Sequence, residues 1–437
     1  SAGEKVPSTR ELALRLGVSR NVVLEAYDLL IAEGYLEARH GSGTSVAQGI
    51  SLQPPAKIPV GVASQETNDH SLSWIDFRSG VPALDRFPLR RWGQWLHAAC
   101  VDSNYDELTY DRPEGRMELR REIANYLYKT RGIQADPDQL FITSGATQAL
   151  SLTARLLYSP DCFAAVEDPL NDGMRQIFTY AGYNLFPVPV DGFGISVDQL
   201  PEERPVFLYT TPSHQFPLGG LLPIKRRIAL IEYARTMNCY IIEDDYDSEF
   251  RYSGQPVSSL LELAPDRVIY IGSFSKILAP ALRLGFVILP RELVKPYRSL
   301  KRVSDVHTSL WEQLALTRLI ETGGLERHIA GLRKLYSQRR NSMINALEEH
   351  FPGEVQILGD ATGLHLIAEF AEHRFTEALL ERIKTFGVKV YSVERHTIQK
   401  GHHLSQLILG YSHLEEDRIQ EGIRRLSKAL TEITETG

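Results

Sequence analysis

The sequence predicts a mixed α/β chain in two unequal parts: a short winged helix-turn-helix at the N-terminus and a large α/β body built on a mainly parallel sheet. Three observations carry this. Two capped helix starts follow one another closely at the opening; a stretch without periodicity separates that opening from the rest; and beyond it short apolar runs alternate with longer helical patterns.

The first helix is announced by Pro7-Ser8-Thr9-Arg10-Glu11, a capping box with Ser8 as N-cap and Glu11 reaching back, followed by Leu12, Ala13 and Leu16 on one face. Gly17 stops it. Ser19 can cap a second helix that turns Val22, Val23, Ala26, Tyr27 and Leu30 inward and leaves Arg20, Asn21 and Glu25 outside. Two short helices joined by a tight glycine turn make a helix-turn-helix, and the run Gly34 to Val46, with Gly41-Ser42-Gly43 at its centre, reads as strand, turn, strand: a wing. This unit takes residues 1–47. Residues 48–73 are rich in Gln, Pro, Ser, Gly and Asn and read as a linker.

The body, 74–437, has an arm over 74–104, a large part over about 105–300 and a smaller α+β part over about 301–437. Its strands are expected at Phe141–Thr143, Phe163–Val166, Val206–Tyr209, Tyr240–Ile242, Val268–Ile271 and Phe286–Leu289. A helix-rich stretch from Arg291 to Phe351 then leads to strands within Val355–Phe370, Val388–Tyr391 and Leu407–Tyr411, closed by a helix over Glu415–Thr431.

Composition narrows the classes. At 437 residues, 43% hydrophobic and 24% charged, the chain is globular rather than disordered. No apolar run reaches the roughly 18 residues a bilayer requires, and the polar opening lacks the apolar stretch of a signal peptide, so a cytoplasmic protein without a membrane partner is expected. Cys100, Cys162 and Cys239 are odd in number and far apart, which suggests neither a disulfide framework nor a zinc site. The net charge is -7, and the first 47 residues carry five Lys/Arg against six Asp/Glu, so any DNA binding rests on where the cations are placed.

Three strand ends carry the chemistry, since ligands of an open α/β sheet sit at the carboxyl ends of its strands. Thr143-Ser144-Gly145-Ala146-Thr147-Gln148 offers backbone N–H groups and a helix start to a phosphate, although small residues also begin helices for packing reasons. In Ile241-Ile242-Glu243-Asp244-Asp245-Tyr246-Asp247-Ser248-Glu249 a strand runs into five carboxylates, which by itself fits an acidic loop or a divalent-metal site as well. Gly272-Ser273-Phe274-Ser275-Lys276 is followed by Arg283, and a lysine after a strand is most often solvated surface. Together they supply what pyridoxal 5′-phosphate (PLP) needs, with no metal. Lys276 would form the Schiff base, Asp244 would face the ring nitrogen and Tyr246 the phenolic oxygen. Ser273, Ser275 and Arg283 would join Gly145, Ala146 and Thr147 around the phosphate. Glu243, Asp245 and Asp247 have no part in this scheme.

The segments S-G-A-T-Q, T-T-P-S-H-Q-F-P-L-G, I-I-E-D-D-Y-D-S-E-F and G-S-F-S-K-x-x-x-P-x-L-R resemble the fold-type-I aminotransferases. Preceded by K-V-P-S-T-R-E-L-A-x-x-L-G-V-S-R, A-Y-x-x-L-x-A-E-G-Y-L and G-S-G-T, they resemble the MocR/GabR subfamily of GntR regulators over nearly the whole chain. The resemblance implies a head-to-tail homodimer that binds double-stranded operator DNA and a small amine or amino-acid effector. It matches Tyr110 to the region that reaches the partner subunit's phosphate and Arg395 to an arginine that grips the effector carboxylate. DNA contacts are implied at Arg10, Arg20 and Asn21, with Arg39, His40 and Gly43 of the wing at phosphates or the minor groove.

Departures from the pattern shape the expectation. The loop Ser213 to Gly219 replaces an Asn-Pro-x-Gly element, leaving His214 or Gln215 for the phenolic oxygen. In Asp168-Pro169-Leu170-Asn171-Asp172-Gly173, Asn171 stands where the family has a ring-stacking tyrosine and Gly173 where it has a second arginine, which points away from a GABA-like effector. The opening helix that precedes P-S-x-R in such readers is missing from the sequence. The reading is a PLP-dependent transcription regulator that senses an amine through external aldimine formation. The alternatives are an active aminotransferase with a DNA-binding appendage and a DNA reader on an inert scaffold; retained Lys276, Asp244 and Arg283 oppose the last.

Overall fold

The computed structural model describes residues 2–39, 41–48, 74–254 and 257–435, and the chain divides into two compact units, one within residues 1–70 and the other within 71–437. His40 of the wing and the linker beyond Gln48 lie outside the described residues.

In the first unit α1 (Thr9–Leu16) and α2 (Arg20–Ala32) precede a hairpin of β1 (Leu36–Arg39) and β2 (Gly43–Val46). Ser8 Oγ accepts the N–H of Glu11 at 3.2 Å, and Gly17 ends α1 in the left-handed region at φ 66. Ser19 is the N-cap of α2 but its side chain makes no cap bond. The hairpin is antiparallel, with Leu36 opposite Val46 and Arg39 opposite Gly43. The segment before α1 also runs along β2, Val6 N–H donating to Thr44 O at 3.0 Å and Val46 N–H to Glu4 O at 2.9 Å, which the sequence reading did not anticipate. The core is Ala13, Val23, Tyr27 and Leu36, with Tyr27 Oη donating to Pro7 O at 2.8 Å. Leu16, Val22, Ala26 and Leu30, expected on the inner faces, are exposed: two short helices over one small hairpin cover a single narrow stripe of each.

In the second unit β3 (Ile75–Asp76), α3 (Leu89–Asp102) and α4 (Met117–Arg131) lead to the main sheet. There follow β4 (Leu140–Thr143), α5 (Ala146–Leu157), β5 (Phe163–Asp168), α6 (Asp172–Tyr180), β6 (Asn184–Asp191), β7 (Gly194–Ile195), β8 (Phe207–Thr210), α7 (Ile224–Thr236), β9 (Tyr240–Asp245), α8 (Leu260–Leu263), β10 (Val268–Ser273) and β11 (Gly285–Ile288). The eight strands lie in the order β4-β11-β10-β9-β8-β5-β6-β7. Neighbours from β10 to β6 are parallel, whereas β11 is antiparallel to both β10 and β4. Two antiparallel pairings with β11 leave β4 running with β10, so the carboxyl ends of β4, β5, β8, β9 and β10 share one edge.

Both faces of this sheet are buried, as alternation along the strands shows: Ile142, Ile241 and Tyr270 enter one core, while Phe141, Ile242 and Ile271 enter the other. Strand β6 was not among those expected. It carries Pro187 and Pro189, but β7 pairs only with Val190 and Asp191, so the missing N–H groups cost that edge nothing.

The C-terminal lobe contains α9 (Arg291–Asp305), α10 (Leu310–Glu321), α11 (Gly324–His350), β12 (Val355–Leu358), β13 (His365–Phe370), α12 (Glu377–Lys384), β14 (Val388–Lys389), β15 (Tyr391–Ser392), β16 (Gln406–Gly410) and α13 (Glu416–Glu435). The single strand expected over Val388–Tyr391 is two: β14 pairs with β3 of the arm, and β15 joins a four-stranded sheet ordered β12-β13-β16-β15. Among the described residues no helix is long and apolar enough to cross a membrane.

Candidate functional site

A cavity of about 270 Å³ opens at the shared edge of strand ends. Its wall includes Ser79 and Gly80 of the arm, Ala146 and Thr147 at the start of α5, Asn171, Asp244, Tyr246, Ser273, Ser275, Lys276 and Arg283. Segments distant in the sequence are thus brought together because the parallel strands all end here.

Lys276 Nζ donates to Gly80 O. Gly80 has φ +75, and a Cβ there would lie 2.8 Å from that ammonium, so the approach of arm to lysine requires glycine. Burial holds Lys276 below its ordinary value, with Asp247 and Asp244 acting in the opposite direction. Asp244 Oδ2 accepts from Tyr209 Oη at 2.7 Å, while its Oδ1 is buried with no hydrogen-bond partner among the described residues. Burial pushes this carboxyl up to about 7, against the bond from Tyr209, with Asp245 and Glu167 adding to the rise. An orphaned, desolvated carboxylate oxygen is a site for a cationic donor such as a protonated pyridine nitrogen.

The phosphate end is equally well made. Helix α5 has Gly145 as N-cap and no side-chain cap, which leaves first-turn N–H groups for an anion. Arg283, itself left-handed at φ 51, donates Nη2 to Ser144 O at 2.7 Å. A Cβ at Gly145, φ +81, would meet that Nη2 at 3.0 Å, so glycine lets the guanidinium close over the helix start. Ser275 N–H donates to Ser273 Oγ at 3.2 Å, fixing the second loop of the cup. The residues fit PLP: Lys276 would hold the aldehyde, Asp244 would face the ring nitrogen, and the α5 start, Ser273, Ser275 and Arg283 would take the phosphate.

Tyr246 and His214 form a buried pair with ring centroids 5.8 Å apart. His214 Nδ1 lies 2.8 Å from Asp247 Oδ2 and 3.0 Å from Tyr246 Oη. With its single hydrogen on Nδ1, His214 can donate to the Asp247 carboxylate or share that hydrogen with Tyr246 Oη, and in that tautomer the phenolic hydrogen of Tyr246 is left for the cavity. His214 stands behind Tyr246 rather than in the wall, and Gln215 braces the loop, its Nε2 donating to Pro169 O at 2.8 Å and Phe216 O at 2.7 Å. The direct ring contact expected of one of them is thereby displaced one shell outward, onto Tyr246.

Asn171 lines the cavity beside Met174 and caps α6, its Oδ1 accepting from Gly173 N–H at 2.9 Å. Two residues suggested by resemblance are not in the wall. Tyr110 is 85% exposed and lies edge-on to His307. Arg395 is exposed on the turn Val393–His396, because that turn directs His396 onto Phe216, at 5.2 Å between centroids, and so faces its neighbour outward. Sequence reasoning missed Ser79, Gly80, Tyr209, Thr211 and His365, which also line the cavity. It missed Glu167 too, a buried carboxylate that accepts from Thr210 Oγ1 at 2.5 Å and Thr211 Oγ1 at 2.7 Å. The Glu-Asp pair closing the apolar run of β5 was a signal of the same type as that closing β9.

The surplus carboxylates have partners of their own, Asp247 facing His214 Nδ1 at 2.8 Å, and so has Glu249 of the same loop. Glu243 accepts the N–H groups of Leu260 and Leu261 at the start of α8, Asp245 binds Tyr270 Oη at 2.5 Å and Arg131 at 3.2 Å, and Glu249 accepts from Tyr126 Oη at 3.0 Å. Among the described residues no group of three or more His, Cys, Asp or Glu could hold a metal. In the first unit Arg10, Arg20, Asn21 and Arg39 are exposed, Arg39 within 3.5 Å of Glu37, and Gly43 has φ +86 at the wing turn.

Fold and cavity define an aminotransferase-type, PLP-dependent body attached to a helix-turn-helix unit. Residues 73–398 match the aminotransferase class I and II family, and residues 1–46 match the gntR family of bacterial regulatory proteins. The HTH-type transcriptional regulator YdeL of Bacillus subtilis (strain 168) is 35% identical over 98% of this chain and 92% of its own. The probable rhizopine catabolism regulatory protein MocR of Rhizobium meliloti is 32% identical over 100% of this chain and 91% of its own. The crystal structure of Pyrococcus horikoshii kynurenine aminotransferase superposes with a TM-score of 0.76 at 30% identity, covering 83% of this chain and 92% of that one. The chain belongs to the GntR family of transcription regulators, in its MocR-like branch with an aminotransferase-like PLP domain.

Proposed function

We propose that this protein is a cytoplasmic, homodimeric sensor in which a small amine or amino acid, captured at a lysine-bound cofactor, alters operator binding by the helix-turn-helix unit. The assignment of residues 1–47 as reader, 48–73 as linker and 74–437 as sensing body belongs to this proposal. The observation that carries it is the pairing, in one wall, of buried Lys276 with the orphaned Oδ1 of Asp244 in a chain that also bears a GntR reader. When bound, PLP supplies an aldehyde carbon that a primary amine can take over from a lysine. Lys276 would hold that carbon, and burial, by lowering the proton affinity of its amine, favours the nucleophilic form. Asp244 would hold the ring-nitrogen proton, and Tyr246, backed by His214 and Asp247, would donate to the phenolic oxygen. Asn171, Met174 and His365 give the remaining wall a largely uncharged character, which suits an effector unlike GABA; Arg395, in this reading, meets the effector carboxylate after the lobe moves. Arg10, Arg20, Asn21, Arg39, His40 and Gly43 meet DNA, and Tyr110 meets the partner subunit in a head-to-tail dimer.

The test is a mobility-shift titration on the DNA upstream of the protein's own gene, with and without PLP and a panel of amines, alongside absorbance of the bound cofactor. An amine that shifts both the cofactor band and the operator affinity supports the reading; operator binding indifferent to PLP and to every amine overturns it. An intact Lys276 and Asp244 also favour a second reading, transamination, and steady keto-acid formation at ordinary enzyme rates would select it.

A further inference from the structure

A second cavity, of about 450 Å³, lies on the other side of the β9 carboxyl end and is lined by four arginines from four places in the fold. Arg131 ends α4, Arg227 is in the first turn of α7, Arg251 follows β9, and Arg333 belongs to α11 of the C-terminal lobe. None has a role in the cofactor site. Arg227 is the most telling: its side chain is 1% exposed, Nε and Nη2 donate to Leu222 O and Pro212 O, and Nη1 has no hydrogen-bond partner among the described residues. The nearest carboxylate oxygen to Nη1, on Glu243, is 3.7 Å away and already accepts at the start of α8. Thr362 Oγ1, 2% exposed and in the same wall, is likewise without a partner.

The count of unused donors favours an anion. Arg131 is committed to Asp245 and Ser213, but among the described residues Arg251 and Arg333 use only Nε, donating to Ser253 O at 2.9 Å and Glu249 O at 3.0 Å. The carboxylates near them have other partners or are muted: Glu243 accepts at the start of α8, Asp245 binds Tyr270 and Arg131, Glu262 lines the cavity, and burial with Asp245 nearby pushes Glu249 up to about 7. Burial holds Arg227 below its ordinary value, with Glu243 and Asp245 acting against the shift and Arg131 and Arg251 adding to it. Guanidinium donors converging from several directions, with hydroxyls between them, match a multi-oxygen dianion better than a single carboxylate.

We propose that this cavity is an anion site for a small phosphate-bearing ligand, held by Arg227 Nη1, Arg251, Arg333 and Thr362 and distinct from the phosphate cup at Arg283. The ligand would join the sheet to the C-terminal lobe, since Arg227 stands on one and Arg333 and Thr362 on the other. It would also be felt at the cofactor cavity, because Arg131 binds Asp245, next to Asp244, and Ser213, next to His214.

The test uses the full chain saturated with PLP, so that the cup at Arg283 is filled, and inorganic phosphate as the probe, with chloride at matched ionic strength. Phosphate is expected to raise the melting temperature saturably beyond chloride. Arg251→Gln should raise the half-saturating concentration at least tenfold. Thr362→Val, which removes a buried hydroxyl without a partner, should leave the phosphate-free melting temperature unchanged or higher and still weaken the phosphate response. Equal responses to phosphate and chloride, half-saturation unchanged in both variants, or a response that tracks displacement of PLP would each overturn the proposal.

Discussion

Asp244→Asn separates two consequences of one buried carboxylate. The substitution preserves shape and an oxygen for Tyr209 Oη, 2.7 Å away, but removes the charge. Burial raises the carboxyl from 3.8 to about 7 in the folded chain, so the folded chain binds this proton more tightly than the unfolded one. The cost of ionising it is therefore absent below about pH 4, grows between about pH 4 and 7, and is constant above that range. At about 1.36 kcal/mol per unit, the ceiling is about 4 kcal/mol at pH 8. An amide in the same place still needs partners for its NH₂, so a net gain of about 1–2 kcal/mol is expected without PLP, or about 2–4 °C in melting temperature. Cofactor binding should move the other way. Losing a charge-assisted hydrogen bond to a cationic ring nitrogen costs about 1.5–3 kcal/mol, roughly a ten- to 150-fold weaker PLP affinity. Melting of PLP-free protein at pH 5 and pH 8, and PLP titration followed by absorbance, measure both. PLP affinity unchanged in the variant would refute the placement of Asp244 at the ring nitrogen. A melting temperature that falls at pH 8 would refute the account of its burial.

Other expectations follow from single contacts. Lys276→Ala should abolish the visible band formed with PLP and the amine-dependent change in operator binding, measured by absorbance and mobility shift. Arg20→Ala should cost about 1–3 kcal/mol in operator affinity and relax sequence preference, whereas Arg39→Ala should weaken binding to all sequences alike and reduce the salt slope by about one, both read by fluorescence anisotropy across salt concentrations. Glu167→Ala leaves the hydroxyls of Thr210 and Thr211 and the Thr211 N–H buried without their acceptor, so the body should lose about 3 kcal/mol in denaturant unfolding while DNA binding by the first unit persists. Asp247→Asn removes the counter-charge of His214 Nδ1 and should alter the pH dependence of the bound PLP band; an unchanged pH profile would disconnect that pair from the cofactor.

Local pattern was enough to locate the N-cap at Ser8 (though not the returning bond expected of Glu11), the left-handed Gly17, the hairpin around Gly43 and most central strands, because each depends on neighbours a few residues apart. The residue types at three strand ends sufficed to pick out Lys276, Asp244, Tyr246 and Arg283, since the chemistry of one cofactor demands that combination. What the sequence could not supply was everything settled by contacts between distant segments. Gly80 meets Lys276 across the arm, Tyr209 reaches Asp244 from the neighbouring strand, and Glu167 gathers the threonines of β8; none has a local signature. The crowded carboxylates after β9 looked redundant because their partners, Tyr270, Arg131, Leu260 and Tyr126, come from other elements. Arg395 illustrates the converse: its motif is local, but its direction is set by a turn that packs His396 against Phe216. Spacing along a chain fixes which faces and ends are possible, whereas burial and the pairing of charges are properties of the assembled fold, and only there is it decided which of several similar side chains reaches the cavity.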